Sequence, residues 1–159
     1  MHENIQIVLV ETSHPGNIGA TARAMKNMGL QHLVLVNPYR FPDERAVARA
    51  AGADDILESA QVYEDLDAAL VDSKLVIGAS ARLRTVEWPQ LDPRECAEKV
   101  MLHAKDRVSI LFGRERSGLT NAELDRCSYL VHIPSNPEYS SLNLAMAVQV
   151  VSYELAMAT

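Results

Sequence analysis

Short runs of β-branched and aliphatic residues alternate along the chain with segments in which apolar residues recur at helical spacing. Ile18, Ala22 and Met25 form the first helical stripe, and Gly29 stands where a helix-ending glycine belongs. AQVYE is a weaker strand candidate. The clear strand candidates are NIQIVLVE, HLVLVNP, KLVIGAS, RVSILFG and YLVHIP. This alternation predicts an α/β fold with a mostly parallel sheet and helices on both faces.

The helix-forming segments carry recognisable start signals. Asp92 is a predicted N-cap with Pro93 at the first helical position, and Thr120 with Glu123 has the capping-box spacing. SHPGNIG is predicted to be a turn. The other predicted helices are DERAVARAAG, closed by Gly52, DLDAALVDS, and a final helix from Leu142 to Ala158.

The length of 159 residues suits one domain, residues 1–159, with a core of its own. No apolar run is long enough to span a bilayer, and the N-terminus lacks the basic region of a signal peptide. Cys96 and Cys127 are too few for a disulfide framework or a cysteine zinc site, and no histidine spacing indicates a metal. We expect two plain buried thiols in a cytoplasmic protein that binds neither metal nor membrane.

The formal net charge of −6 excludes a bulk electrostatic attraction to nucleic acid. The distribution of cations points the other way, because eleven of the fifteen basic residues are arginine, whose planar fork suits phosphate. For any single arginine an ordinary surface ion pair remains the alternative. The arginines in predicted loops are Arg40, Arg82, Arg84, Arg114 and Arg116.

Four loops that follow predicted strands are unusually rich in polar residues and glycine. In open α/β sheets ligands bind outside the carboxyl ends of the strands, so we expect these loops to converge. Neither a G-x-G-x-x-G fingerprint nor a P-loop is present. The four loops are ETSHPGNIG, GASARLRT, FGRERSGLTN and IPSNPEYSSLN.

The first and third of these loops contain candidate binding groups. Gly19, Arg23, Lys26 and Asn27 share a helix face apart from the apolar stripe, and Gly19 would leave room for a substrate beside Arg23. A solvated helix face is the alternative.

In FGRERSGLTN, Gly113 permits positive φ and close backbone approach, and Gly118 permits a second sharp turn. Glu115 lies between two arginines, which would keep it ionised. An ordinary turn is the alternative for this loop.

The last loop combines turn residues with helix caps. Asn136-Pro137 predicts a tight turn, Ser140 or Ser141 could cap the last helix, and Asn143 could hydrogen-bond within the loop. Apolar walls for a purine could come from Ile133, Leu142 and Leu144.

Three segments, in the order NIGATARAMKNMG, LFGRERSGLTN and IPSNPEYSSLNLAMAVQV, resemble the motifs of the SPOUT superfamily of RNA methyltransferases. Together with GASAR they span nearly the whole chain. The resemblance implies an α/β fold with a C-terminal deep trefoil knot, S-adenosylmethionine bound in the knot, and a homodimer whose active sites use both subunits. The sequences of these segments are most similar to those of family members that methylate the ribose 2′-hydroxyl of the pyrimidine nucleotide at position 32 of the tRNA anticodon loop.

The resemblance also assigns roles to individual residues. Asn17, Arg23, Glu115 and Asn143 match positions associated with catalysis and site integrity. The family is usually longer, with a C-terminal extension that helps hold tRNA and that this chain is expected to lack. The implied cofactor-binding residues are Ala79, Ser80, Ala81, Gly113, Ile133, Ser140, Ser141 and Leu142.

RNA contacts are a separate hypothesis. We expect Arg82, Arg84 and Arg114 to contact the RNA, with Trp88 or Tyr139 as stacking platforms. A tryptophan packed in a turn is the alternative for Trp88.

Within the family, Arg23 is the candidate general base for the ribose hydroxyl. Because arginine stays protonated in proteins, a second role is physically easier. A charged Arg23 would hold the adjacent phosphate and stabilise the developing alkoxide, while water or phosphate accepts the proton.

Three other functions remain open. The chain could be a related enzyme with another ribose target, or a non-catalytic RNA-binding module of the same fold. A nicotinamide-dependent Rossmann enzyme is disfavoured by the missing glycine fingerprint.

Overall fold

The structure is a computed structural model that describes residues 2–80, 88–139 and 142–158. The strands of the described part are β1 Ile5–Val10, β2 His32–Val36, β3 Gln61–Tyr63, β4 Ser73–Ala79, β5 Gln90–Leu91, β6 Arg107–Phe112 and β7 Tyr129–Val131. The helices are α1 Pro15–Asn27, α2 Glu44–Ala50, α3 Asp54–Glu58, α4 Leu66–Ala69, α5 Pro93–Met101, α6 Asn121–Leu124 and α7 Leu144–Met157.

The seven strands form one sheet in the order β3-β2-β1-β6-β4-β7-β5. All six strand pairings are parallel, which confirms the predicted α/β architecture and goes further than the expected mostly parallel sheet. Because every strand runs the same way, all the loops that follow strands leave from one edge, the carboxyl edge of the sheet.

The sheet separates two hydrophobic clusters, as expected for a sheet covered on both faces. Alternate residues of β1 point to opposite sides, so that Ile7 belongs to one cluster and Val8 to the other. The larger cluster takes its helical side chains from α1, α2, α3, α5 and α7, whereas the smaller one takes them from α4 and α6. The domain therefore has the predicted helical layer on each face.

Cys96 and Cys127 are both buried free thiols, as the sequence predicted. Burial raises the pKa of each thiol to about 12, so both stay protonated at neutral pH. No helix in the described ranges is both long and apolar enough to cross a membrane.

The cap signals were predicted correctly. Asp92 and Thr120 each accept from the backbone amide three residues on, and each forms the reciprocal capping box, with Glu95 and Glu123 respectively. Gly29 ends α1 with φ of +79°, the left-handed conformation that glycine favours.

Several boundaries differ from the prediction. Helix α1 begins at Pro15, so most of the segment predicted as a turn is its first helical turn. Helix α7 begins at Leu144 rather than Leu142, because Asn143 is its N-cap. Helix α3 and the two-residue strand β5 were missed, since both are too short to develop a periodic pattern.

The predicted role of Gly19 was wrong. Gly19 is buried in the contact between α1 and α2, and a β-carbon added there would overlap the backbone carbonyl oxygen of Ala46. The missing side chain therefore admits a neighbouring helix rather than a substrate. Backbone cannot rotate aside as a flexible side chain can, so the position requires glycine.

We predict that Gly19→Ala lowers the free energy of unfolding by about 1–3 kcal/mol, because α2 must move away from α1. Gly16→Ala in the same helix is the matched control, since its β-carbon would meet Arg49 only at an ordinary contact distance of 3.5 Å. Urea denaturation of both variants provides the measurement. Equal stability of the two would contradict the helix-contact explanation.

Candidate functional site

The side chain of Glu115 joins the loops that follow β1 and β6. Its Oε1 accepts from the Ser13 backbone amide and the Ser13 hydroxyl, each at 3.0 Å. Its Oε2 accepts from the His14 amide at 3.1 Å and from Nδ2 of Asn17 at 2.9 Å. Helix α1 has no side-chain cap at its own N-cap residue, His14. Glu115 thus supplies from a distant loop the carboxylate that a helix N-terminus favours.

The pKa of Glu115 reflects these contacts. Partial burial works to raise the pKa, but the hydrogen bonds from Asn17, Ser13 and His14 outweigh it and hold the pKa below its ordinary value. Glu115 is thus ionised, as predicted, but for a different reason. Hydrogen-bond donors from the first loop hold the charge, and the flanking arginines are not its partners.

Arg114 binds two other carboxylates. Its Nη2 lies 2.8 Å from Glu11 Oε2, and its Nη1 lies 2.9 Å from Glu123 Oε1. The hydrogen bond to Glu123 is the main reason why the pKa of Arg114 is raised. The guanidinium that was expected to contact RNA is therefore engaged within the chain, where it ties the loop after β6 to the end of β1 and to α6.

The loops after β4 and β7 meet beside the loops after β1 and β6. Ala79 pairs with Val131, and the Ser80 amide donates to the Val131 carbonyl at 3.0 Å. His132 Nδ1 lies 3.2 Å from the Ser80 carbonyl oxygen, which accepts. Since β6, β4 and β7 are neighbours, the partly exposed residues Gly113, Ala79 and Ile133 stand at adjoining strand ends.

Gly113 makes the predicted close backbone approach, because a β-carbon there would overlap the backbone of Gly118. Gly118 takes φ of +70°, the predicted second sharp turn.

Asn143 caps helix α7, with its Oδ1 accepting from the Ala145 amide at 2.9 Å. This assigns the cap to Asn143 instead of the two serines that the sequence suggested. The predicted turn at Asn136 is present, since the Tyr139 amide donates to the Asn136 carbonyl at 3.0 Å. Leu142, directly before the cap, is 38% exposed.

A cleft of about 490 Å³ opens where the start of α1, the helix α2 and the cap of α7 meet. Asn17 and Asn143 both line this cleft, so the structure brings together two of the four residues assigned to catalysis. A third, Glu115, accepts a hydrogen bond from the side chain of Asn17. Sequence reasoning missed the two arginines of α2. The cleft is lined by His14, Pro15, Gly16, Asn17, Arg45, Ala48, Arg49 and Asn143.

Arg23 is exposed, and it does not line the cleft. It follows Gly16 and Ala20 on the same outward stripe of α1, about 10 Å along the helix from Gly16. Its side chain is therefore exposed along this stripe of α1 and is available to a molecule docked there.

The remaining predicted residues have different surroundings. Trp88 is half-buried against the smaller core cluster, which favours the packed-turn alternative, and Tyr139 is 83% exposed. Five predicted residues lie outside the described ranges, namely Ala81, Arg82, Arg84, Ser140 and Ser141.

The fold and the loop contacts together define a class of protein, a parallel α/β fold whose polar loops meet at the carboxyl edge of the sheet, where open α/β sheets bind their ligands. The model of the SpoU rRNA Methylase family matches residues 4–153. The chain belongs to this family, and the match confirms the resemblance that the motifs carry.

Individual relatives agree with this assignment. The chain is 59% identical over 159 residues to tRNA (cytidine/uridine-2′-O-)-methyltransferase TrmJ of Photorhabdus laumondii subsp. laumondii, covering 99% of this chain and 66% of that protein. It is also similar to the crystal structure of TrmJ from Z. mobilis ZM4, with a TM-score of 0.92, 38% identity and coverage of 97% and 69% of the two chains.

A probable methylase family protein from Haemophilus influenzae Rd KW20 has a TM-score of 0.95 at 59% identity, covering 99% of this chain and 67% of that one.

We predict that Glu115→Gln lowers the free energy of unfolding by about 1–2 kcal/mol at pH 7, because a charged acceptor for several donors is lost. Since the folded pKa of Glu115 is depressed, its contribution is complete above the ordinary value of 4.5 and disappears as pH falls through the folded value. The stability difference between the two proteins should therefore shrink as the pH falls below 4.5 and close once the pH is below the depressed folded pKa of Glu115. Chemical denaturation across this range measures it, and a difference independent of pH would contradict the ionised clamp.

Proposed function

We propose that this chain is the catalytic part of an RNA 2′-O-methyltransferase that transfers a methyl group from S-adenosylmethionine to a ribose of tRNA. The finer proposal is the pyrimidine nucleotide at position 32 in the anticodon loop, which rests on the motif resemblance. The observation that carries the proposal is the meeting of the family's motifs at one place. Asn17 donates a hydrogen bond of 2.9 Å to Glu115 and lines the same cleft as Asn143.

The strand ends of β6, β4 and β7 fit the chemistry of an adenosyl group. Gly113, Ala79 and Ile133 are small or apolar, uncharged and partly exposed. Three neighbouring strands span about 10 Å, a width that suits a nucleoside. Such a surface offers main-chain groups for a base edge and apolar walls for a purine, while Ser80, Leu142 and the adjacent predicted residues would complete it.

S-Adenosylmethionine supplies a methyl group on a sulfonium, which is already a good leaving group. The chain's own residues have to orient the acceptor ribose and manage its charge, which is mainly a problem of alignment. Asn17 and Asn143 would position the ribose from the cleft, and Glu115 keeps Asn17 in place. A protonated Arg23 would hold the neighbouring phosphate and stabilise the negative charge that develops on the 2′-oxygen, while the proton leaves to water or phosphate.

The deep trefoil knot belongs to the same proposal. It is supported by the position of β7 between β4 and β5, both of which precede it in sequence. The chain then continues to α7, which packs against α1 and α5. A late strand placed between two earlier ones is the strand order expected when the C-terminal part of a chain passes between earlier segments. Chain tracing in a crystal structure tests the knot.

A homodimer is supported by an exposed apolar stripe on α7. Met146, Val150, Tyr153 and Met157 follow helical spacing and are 60%, 36%, 48% and 59% exposed, respectively. Contiguous apolar surface of this kind typically marks an interface. A second copy seated there would lie beside α1, which packs against α7, so Arg23 of one subunit could serve the site of its partner.

We predict that Val150→Arg, at the centre of this stripe, converts the dimer to a monomer, because it places an unpaired charge in an apolar interface. Leu102→Arg is the control, since Leu102 is 78% exposed but lies outside α7. Sedimentation velocity distinguishes the two states. A monomeric unsubstituted chain, or a Val150→Arg variant that stays dimeric, would argue against this interface.

We predict that the chain transfers labelled methyl from S-adenosylmethionine to an unmodified tRNA transcript, with the label on the ribose at position 32. Arg23→Ala should lower kcat about 100- to 1,000-fold, as loss of a transition-state donor does. Arg23→Lys should recover only part of the rate, because it restores charge without the planar fork. Saturating tRNA is used, so that weak RNA affinity does not mask the turnover number.

Calorimetry of S-adenosylmethionine binding is the control, since Arg23 variants should bind it as the unsubstituted chain does. Full turnover by Arg23→Lys would refute the guanidinium-specific role. Label on another ribose would instead identify a related enzyme, and cofactor binding without any transfer would favour the non-catalytic module.

A further inference from the structure

We propose that Arg49 binds a backbone phosphate of the RNA substrate in the cleft between α1 and α2. The inference rests on the proposed function for the identity of the polyanion. It adds to that function a binding residue on α2, outside the three motifs that define the family resemblance.

Arg49 lies across the start of α1. The position of a β-carbon on Gly16 would be 3.5 Å from Cγ and 3.7 Å from Cζ of Arg49, so the guanidinium packs over a helix surface that has no side chain of its own. Arg49 is exposed, and within the described ranges no hydrogen bond or ion pair engages its guanidinium. A full positive charge with a free planar fork therefore faces the cleft.

Arg45 lines the same cleft but is already partnered. Its Nε lies 3.0 Å and its Nη2 3.1 Å from the two carboxylate oxygens of Asp43, a bidentate ion pair. Hydrogen bonds from Arg45 hold the pKa of Asp43 below its ordinary value, so that carboxylate is ionised at neutral pH. Since Asp43 compensates Arg45, the uncompensated charge in the cleft comes from Arg49.

The N-terminus of α1 does not itself supply the anion site. The amides of Ser13 and His14 already donate to Glu115, whose negative charge occupies that helix end. Asn143 contributes differently, because its Oδ1 accepts from Ala145 and its NH₂ group then remains to donate from the α7 side. The cleft thus offers a guanidinium on one wall and an amide donor on the other, which suits one phosphate group.

RNA is the polyanion that this arrangement favours. A chain of net charge −6 gains nothing from bulk attraction, so it must bind a polyanion through local, unpaired cations. The volume of about 490 Å³ accommodates a nucleotide unit, and the cleft contains Asn17 and Asn143, the proposed ribose-positioning residues. A phosphate held at Arg49 would place the substrate backbone beside the groups that orient its sugar.

The test compares Arg49→Ala, Arg49→Lys and Arg45→Ala, with Arg107→Ala as the matched control. Arg107 lies at the amino end of β6, on the opposite edge of the sheet. Binding of an unmodified tRNA transcript is measured over a series of salt concentrations, and kcat and KM are measured for methyl transfer. Calorimetry of S-adenosylmethionine binding and thermal unfolding are recorded for every variant.

Arg49→Ala should raise the Kd and KM for tRNA about 5- to 50-fold, with kcat, cofactor affinity and Tm unchanged. It should also reduce the slope of log K against log salt by about 1, because one phosphate contact is lost. Arg49→Lys should keep most of the slope and part of the affinity. Arg45→Ala should change Kd less than about threefold, and Arg107→Ala should change none of these quantities.

An unchanged Kd and salt slope in Arg49→Ala would overturn the proposal, as would an equal loss in Arg107→Ala. A fall in kcat with KM unchanged would also overturn it, because a ground-state phosphate contact cannot act in that way. If the unsubstituted chain binds tRNA but transfers no methyl, the proposed function fails while the binding measurements still decide the role of Arg49.

Discussion

The site depends on one carboxylate that joins two loops far apart in sequence. Glu115 follows β6, and its oxygens accept from two amides, a hydroxyl and a side-chain amide of the segment from Ser13 to Asn17. Because β1 and β6 are adjacent strands, a side chain of ordinary length can bridge their loops. This contact holds the start of α1, from which Asn17 is proposed to act, while packing against α2 and α7 holds the rest of the helix. Arg114 reinforces the junction through Glu11 and Glu123.

The arginines divide into those that hold the fold and those that face outward. Arg114, Arg45 and Arg126 are each paired with carboxylates of the chain itself. Arg23 and Arg49 are exposed and have no such partner among the described residues. Net charge therefore says little about nucleic-acid binding here, because acidic residues neutralise the structural arginines and leave Arg23 and Arg49 without a carboxylate partner among the described residues.

The strands and long helices could be predicted because their signals are local. Each long strand is a run of buried β-branched and aliphatic residues, and the caps at Asp92 and Thr120 need only a neighbour three residues away. The partners of Glu115 lie about a hundred residues from it, so no local pattern could identify them. Gly19 was misjudged because a glycine that admits a helix and one that admits a ligand look identical in sequence. Arg45 and Arg49 look like one solvated helix face until α1 is packed beside α2.

Within the proposed function, Asn143 is the residue where the two halves of the reaction would meet. The strand ends of β6, β4 and β7 are uncharged and suit an adenosyl group, whereas the cleft between α1 and α2 carries the arginines that suit a phosphate. Asn143 lines that cleft, and Leu142 immediately before it belongs to the proposed cofactor surface. Its hydrogen bond to the Ala145 amide fixes the side chain on the end of α7. The methyl donor and the RNA, which differ strongly in charge, could then bind to separate surfaces that adjoin at Asn143.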